Sequence, residues 1–291
     1  GVIAQQAALR TWTDTTRTPT VALHRLSHLD LDESNAIERL HPIAAIRLGT
    51  TQPFTTEDLD DATEPIGAVT VELPLRRAGF ALLDWDELTA ISAWCRQRSI
   101  PLHLDGARLW ESAPFYGRPL AEIAALADSV YVSFYKGLDG MAGCALAGPE
   151  DFLARATPWL SRHGANIHTV FPYALAAAHG LDVHLPRMPE YAARARTLSA
   201  AIRRLPGVHG REPRTNSFAV HLPGDATRLE VAHRALARRT RTWLFNGFTA
   251  SAVPGLTTVE VQVGAATQHI PDGEAAALTA QLVADAGAAA E

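Results

Sequence analysis

A chain of 291 residues, 47% hydrophobic and 20% charged, has the composition of a globular protein able to bury one large core or a large and a small domain. A net charge of −5 offers no electrostatic attraction to nucleic acid or an anionic membrane, and two cysteines, Cys95 and Cys144, are too few for a disulfide framework. No apolar run reaches the roughly 18–20 residues that a bilayer requires, and no secretory signal pattern opens the sequence, so the expected setting is the cytoplasm.

Gly1 to Arg10 has a helical pattern with no Ser, Thr, Asp or Asn ahead of it to cap its first N–H groups. Thr20 to Leu23 is β-branched and apolar, and Ser34 to Leu40 reads as a helical turn capped by Ser34 or Asp32. Ile43 to Leu48 and Ala68 to Leu73 are strand candidates on either side of Thr56 to Thr63, whose acidic residues suit a helix start. Leu88, Ile91, Trp94 and Cys95 recur at helical spacing within Asp86 to Arg98. Pro101 opens a strand ending at Asp105. Leu120 to Leu126 is helical, and Ser129 to Phe134 and Ala142 to Ala147 are strands joined by a turn marked by Gly140 and Gly143. The alternation predicts an α/β fold, a mostly parallel sheet covered on both faces.

Pro186 and Pro189 bracket a polar stretch that predicts a boundary, giving domains 1–182 and 183–291. The second contains a helix (Glu190 to Leu205), a strand (Ser217 to Leu222) and a helix (Ala226 to Arg238). Two strand candidates (Thr242 to Phe245 and Thr257 to Val263) and a helix (Asp272 to Ala286) complete it.

Two strands carry chemistry at their ends. Leu102-His103-Leu104-Asp105-Gly106-Ala107-Arg108-Leu109 delivers a carboxylate. Ser133-Phe134-Tyr135-Lys136-Gly137 delivers a lysine 31 positions after Asp105. Burial at such a strand exit favours the neutral amine, which is the form that attacks a carbonyl; the alternative is an edge lysine facing water. Asp105 also fits a strand-end or capping carboxylate. Arg108 offers the planar fork that suits a carboxylate, or a surface ion pair. His24 and His28 lie four apart, a spacing that on a helix suits zinc. Arg25, however, stands where a His-Glu-x-x-His motif needs its glutamate, and the stretch reads as strand then loop, so no metal is expected. Glu72 is a candidate supporting acid or a sheet-edge ion pair. Arg238-Arg239-Thr240-Arg241 lacks interleaved aromatics and reads as a solvated helix end.

The wording around Asp105 and Lys136 resembles the threonine aldolase group of beta-eliminating lyases, with recognisable motifs from Gly1 to about Leu181. The resemblance implies the fold-type-I architecture of pyridoxal-phosphate enzymes, with pyridoxal 5'-phosphate held by Lys136 as a Schiff base and by Asp105 at the pyridinium nitrogen. It also implies His28 stacked on the cofactor ring as a candidate base alongside water, and Arg108 on the substrate carboxylate. In threonine aldolases a similar helix follows a Ser-Gly-Thr turn that holds the cofactor phosphate. Gly1 matches the glycine and Val2 replaces the threonine, so an N-terminally shortened piece of a longer protein is expected. Ile167 and His168 stand where many threonine aldolases carry a methionine and an arginine, which makes His168 a candidate substrate contact and leaves threonine itself open as the substrate.

The implied activity is cleavage of the Cα–Cβ bond of a β-hydroxy-α-amino acid to glycine and an aldehyde. β-Elimination, racemisation and transamination share the same lysine and aspartate, and a non-catalytic fragment is the alternative from another class. The small amino-acid substrate is the implied partner, and a homodimer or homotetramer is expected for the intact protein.

Overall fold

In the computed structural model, which describes residues 1–288, short apolar runs become strands and the longer periodic stretches pack over them as helices. The first unit, residues 1–186, begins α1 (Val2–Thr16), β1 (Thr20–His24), α2 (His28–Leu31), α3 (Ala36–Leu40), β2 (Ala44–Leu48), α4 (Thr56–Asp60) and β3 (Ala68–Glu72). It continues through α5 (Trp85–Gln97), β4 (Leu102–Gly106), α6 (Leu109–Tyr116), α7 (Leu120–Ala124), β5 (Ser129–Ser133), β6 (Cys144–Ala147), α8 (Glu150–Arg162) and α9 (Phe171–Val183).

The six strands form one sheet in the order β2-β1-β3-β4-β5-β6, parallel throughout except for the antiparallel β5–β6 pair. Every residue of β4 is buried, the polar His103 and Asp105 included, as in a parallel strand covered on both faces. Alternate side chains go to opposite faces. On one face Val69 and Val71 pack with Leu88, Ile91 and Cys95 of α5. On the other Val21, Leu23 and Ala68 meet Leu9 and Trp12 of α1 and Phe152 of α8, with the Trp12 and Phe152 rings stacked at 4.5 Å. Buried His103 ties α1 to the sheet, with its Nε2 2.7 Å from Gln5 Oε1 and its Nδ1 2.8 Å from Ser129 Oγ. Burial pushes His103 down to about 3, so the bridge is made by a neutral imidazole.

From Arg187 a second unit contains α10 (Met188–Ile202), β7 (His209–Gly210), β8 (Ser217–Pro223), α11 (Ala226–Thr240), β9 (Thr249–Ala250), β10 (Leu256–Gln262) and α12 (Asp272–Ala288). Its antiparallel sheet runs β7-β8-β10-β9. Phe218, Val220 and Leu222 alternate inward on β8, opposite Val259 and Val261 of β10.

Several local expectations are corrected. Thr242 to Phe245 is not a strand: the Leu244 and Phe245 N–H groups donate to His233 Nε2 at 3.1 and 3.3 Å, so a histidine of α11 replaces a partner strand. The helix expected from Ser34 starts only at Ala36, because Ser34 and Asn35 take left-handed conformations (φ 54° and 57°). Asp32 pairs with Arg77 instead of capping it. The helix expected over Thr56 to Thr63 ends at Asp60. His28, expected in a loop, opens the single turn of α2, where Ser27 Oγ accepts the Leu29 N–H at 3.3 Å. Among the described residues no helix is long and apolar enough to cross a membrane.

Candidate active site

Four parallel strands end on the same edge of the sheet, the edge at which open α/β sheets assemble their sites. His28 lies four residues past β1, Glu72 closes β3 beside Asp105 of β4, and Lys136 lies three residues past β5.

Asp105 is fully buried. Its Oδ1 accepts the Ala107 N–H at 3.2 Å, whereas Oδ2 has no hydrogen bond. His28 Nδ1 stands 3.1 Å from that Oδ2, close enough for charge attraction but not aligned to donate. Burial raises the Asp105 pKa and the His28 charge only partly offsets this, so Oδ2 has a high affinity for a proton.

His28 is ringed by carboxylates. Its Nδ1 lies 3.4 Å from Glu72 Oε2 and its Nε2 3.4 Å from Glu33 Oε1. Burial opposes the charge, yet Asp105, Glu33 and Glu72 outweigh it and lift the imidazole to about 11. The three carboxylates thus hold the imidazole toward its protonated form, in which it donates; to act as a base it would first have to give up that proton. Glu72 is fixed by the backbone N–H groups of His28 (3.0 Å) and Arg76 (3.1 Å), and Glu33 accepts from Gln6 Nε2 at 3.1 Å. Burial alone would protonate Glu72, but the His28 interaction holds its pKa below the ordinary carboxylate value. His28, Glu72 and Asp105 offer ligand atoms within 4.8 Å of one another. His24 is committed elsewhere, with Nε2 2.7 Å from Gln52 O and Nδ1 accepting the Leu26 N–H.

A pKa raised in the folded state gives stability that is fully present below the unfolded value, 6.5, and disappears as pH climbs to about 11. The melting temperature of His28→Gln should therefore lie furthest below wild type at about pH 6, below the unfolded value. The gap should shrink steadily toward pH 11; a gap independent of pH would mean that His28 is not charged there.

Lys136 is the only lysine among the chain's 26 lysine and arginine residues. Its amine makes no hydrogen bond or ion pair among the described residues; the Tyr135 ring centroid is 5.8 Å away. Burial and the Arg108 charge lower its pKa against the pull of Asp105, raising the neutral fraction that can attack a carbonyl. Arg108 caps α6 with its guanidinium 5.3 Å from the Phe80 ring centroid, its Nε buried without a hydrogen bond, and no ion pair among the described residues. At the other side, α1 starts at Gly1 with no side-chain cap. Gly1 lies against the Tyr131 and Tyr135 hydroxyls, and Val2 is exposed.

His168 is exposed between α8 and α9, and no hydrogen bond or ion pair joins it to this group. Three residues that sequence reasoning passed over do belong here: Glu33, Tyr131 and Glu111. Glu111 is fully buried and its Oε1 accepts the Gly137 N–H at 2.8 Å.

The model of the beta-eliminating lyase family matches residues 1–224. The crystal structure of a candidate L-allo-threonine aldolase from Listeria monocytogenes EGD-E is 36% identical with a TM-score of 0.91, covering 98% of this chain and 80% of that one. A Leishmania major threonine aldolase at 20% identity and TM-score 0.71, covering 98% of this chain and 81% of that one, shares the fold. The low-specificity L-threonine aldolase of Candida albicans is 33% identical over 103 residues, 35% of this chain and 28% of that protein. That of Escherichia coli K12 is 27% identical over 157 residues, 49% and 47% of the two chains. The matched segments thus span between 28% and 47% of these curated relatives. The fold is that of the fold-type-I pyridoxal-phosphate enzymes. On the match over residues 1–224, the chain belongs to the beta-eliminating lyase family.

Proposed function

We propose that the protein is a pyridoxal-phosphate-dependent lyase that splits the Cα–Cβ bond of a β-hydroxy-α-amino acid into glycine and an aldehyde. The observation that carries this reading is an uncommitted amine on the chain's one lysine, near a buried carboxylate oxygen that lacks a hydrogen bond. The names of its threonine aldolase relatives support the reaction type.

The donor set fits the cofactor: Lys136 would hold its aldehyde carbon, Asp105 Oδ2 its ring nitrogen, and His28 its ring. The uncapped N–H groups of α1 at Gly1 and Val2 would meet its phosphate, where a helix N-terminus favours an anion. When bound, pyridoxal phosphate supplies an electron sink for the charge left on Cα. As a carboxylate, Asp105 would hold a proton on the ring nitrogen through Oδ2, which has no hydrogen bond within the protein. Arg108, whose guanidinium has no ion pair, grips the substrate carboxylate as a fork. Lys136, its pKa lowered by burial, would hold the cofactor at rest, yield its place to the substrate amine and take that place back as the product leaves. The β-hydroxyl proton would leave to water or, once it has shed its own proton, to His28.

Incubation of the cofactor-loaded protein with L-threonine, L-allo-threonine and L-serine, with products identified by mass, tests this. Glycine plus aldehyde is the expected outcome, whereas ammonia plus a keto acid would place the chain among eliminating enzymes. Arg108→Lys should raise KM by about tenfold with a smaller change in kcat, since a point charge replaces the fork. An unchanged KM would move carboxylate recognition to another residue.

The same proposal assigns the cofactor to residues 1–182, makes 183–291 the small domain, and places the protein in the cytoplasm as a homodimer or homotetramer. Two free cysteines fit a reducing compartment. Helix α9, with Phe171, Tyr173, Leu175 and Val183 exposed and Asp182 its only acidic or basic residue apart from His179, supports self-association. Light scattering gives the copy number.

A further inference from the structure

Glu111 has no part in the chemistry above, yet it sits fully buried on the first turn of α6, where a carboxyl group is expensive to keep. Burial raises its pKa, with Arg108 pulling the other way. One oxygen, Oε2, has no hydrogen bond at all. The other, Oε1, accepts the N–H of Gly137, the residue directly after Lys136, at 2.8 Å. A Cβ on Gly137 would collide with the Oε1, Cδ and Cγ atoms of Glu111, so glycine at 137 is what lets the carboxyl reach the main chain. On the far side of the lysine, the Lys136 carbonyl accepts the Asp139 N–H at 2.9 Å and the Phe134 carbonyl accepts the Gly140 N–H at 2.8 Å. The turn carrying Lys136 is thus closed by its own backbone at one end and by Glu111 at the other. An apolar side chain at 111 would be cheaper to bury, and would leave the Gly137 N–H unpaired.

We propose that Glu111 is a positioning residue for Lys136, fixing through the Gly137 N–H the main chain from which the amine projects. The role rests on Lys136 being the cofactor lysine. One short stretch, 105–111, then serves the ring nitrogen (Asp105), the substrate (Arg108) and the lysine turn (Glu111).

The test measures how fast pyridoxal phosphate attaches to Lys136 in Glu111→Gln, Glu111→Asp and Glu111→Ala, by borohydride trapping and peptide mass. With a single lysine, the adduct on the peptide containing residue 136 is read apart from any on the N-terminal amine. Reductive methylation with formaldehyde, which needs no fixed geometry, reports the reactivity of the same amine. Glutamine keeps the reach and loses the charge; aspartate keeps the charge and loses the reach. Glutamine should attach the cofactor within about threefold of wild type, while aspartate and alanine should slow attachment by roughly ten- to a hundredfold, with methylation changed less than about threefold. Where the alanine variant fails to fold, the aspartate variant carries the same comparison. Wild-type attachment in the aspartate variant would overturn the role, as would glutamine behaving like alanine, or methylation falling in parallel with attachment. A wild-type protein trapped at an amine other than Lys136 would overturn the lysine assignment and the positioning role with it. A label on Lys136 whose rate ignores position 111 would overturn the positioning role alone.

Discussion

Lys136→Ala should lower turnover by on the order of 10⁴ and remove the visible absorbance of the bound cofactor, because the chain has no second lysine to take over. The fold should survive. The amine has no hydrogen bond or ion pair to lose, and its removal relieves a buried group whose charged form is disfavoured. The melting temperature should therefore stay within a few degrees of wild type, the range of a substitution that breaks no buried network. Spectra recorded after gel filtration make the comparison: a variant as yellow as wild type would mean that the cofactor is held by something other than Lys136.

Asp105→Asn should leave the cofactor attached and cut kcat by roughly a hundred- to a thousandfold, the scale of losing a group aimed at developing charge. The amide keeps the acceptor for the Ala107 N–H, so the local turn remains. What disappears is the carboxylate oxygen Oδ2, which no hydrogen bond satisfies and whose charge would hold a proton on a ring nitrogen. Loss of that charge also withdraws one of the three carboxylates supporting the His28 imidazolium, so the pKa of His28 should fall in the same variant. Histidine NMR titration would show it. Near-wild-type kcat with an unmoved His28 would reduce Asp105 to a structural role.

The middle of the sheet was legible because β1, β3, β4 and β5 are mostly buried on both faces. Ala68 to Val71, Leu102 to Leu104 and Val130 to Val132 are short, mostly apolar runs, and the candidate site lies at or just past their ends. Lys136 and Asp105 were legible for the same reason, since a charge at the end of a buried run has few uses. Glu33 and Glu111 were not. Glu33 sits in the acidic wording Asp30-Leu31-Asp32-Glu33, which reads as solvent-facing until the fold turns it toward His28. Glu111 looks like an ordinary first-turn helix acid. Its signal was Gly137, a glycine whose missing Cβ makes room for a partner that sequence spacing cannot name. His28 was legible as a candidate but its charge was not, because Glu33, Glu72 and Asp105 converge on it only in the folded chain. Thr242 to Phe245 looked like a strand from its apolar content, yet His233 satisfies the backbone that a neighbouring strand would have paired.

The most direct measurement is borohydride reduction of the cofactor-loaded protein followed by peptide mass mapping. Lys136 is the one lysine in the 291 residues. One stable pyridoxyl group on the peptide containing Lys136 is the result expected. A label only on peptides lacking Lys136, or no retained label, would contradict the assignment of Lys136 and with it the proposed chemistry.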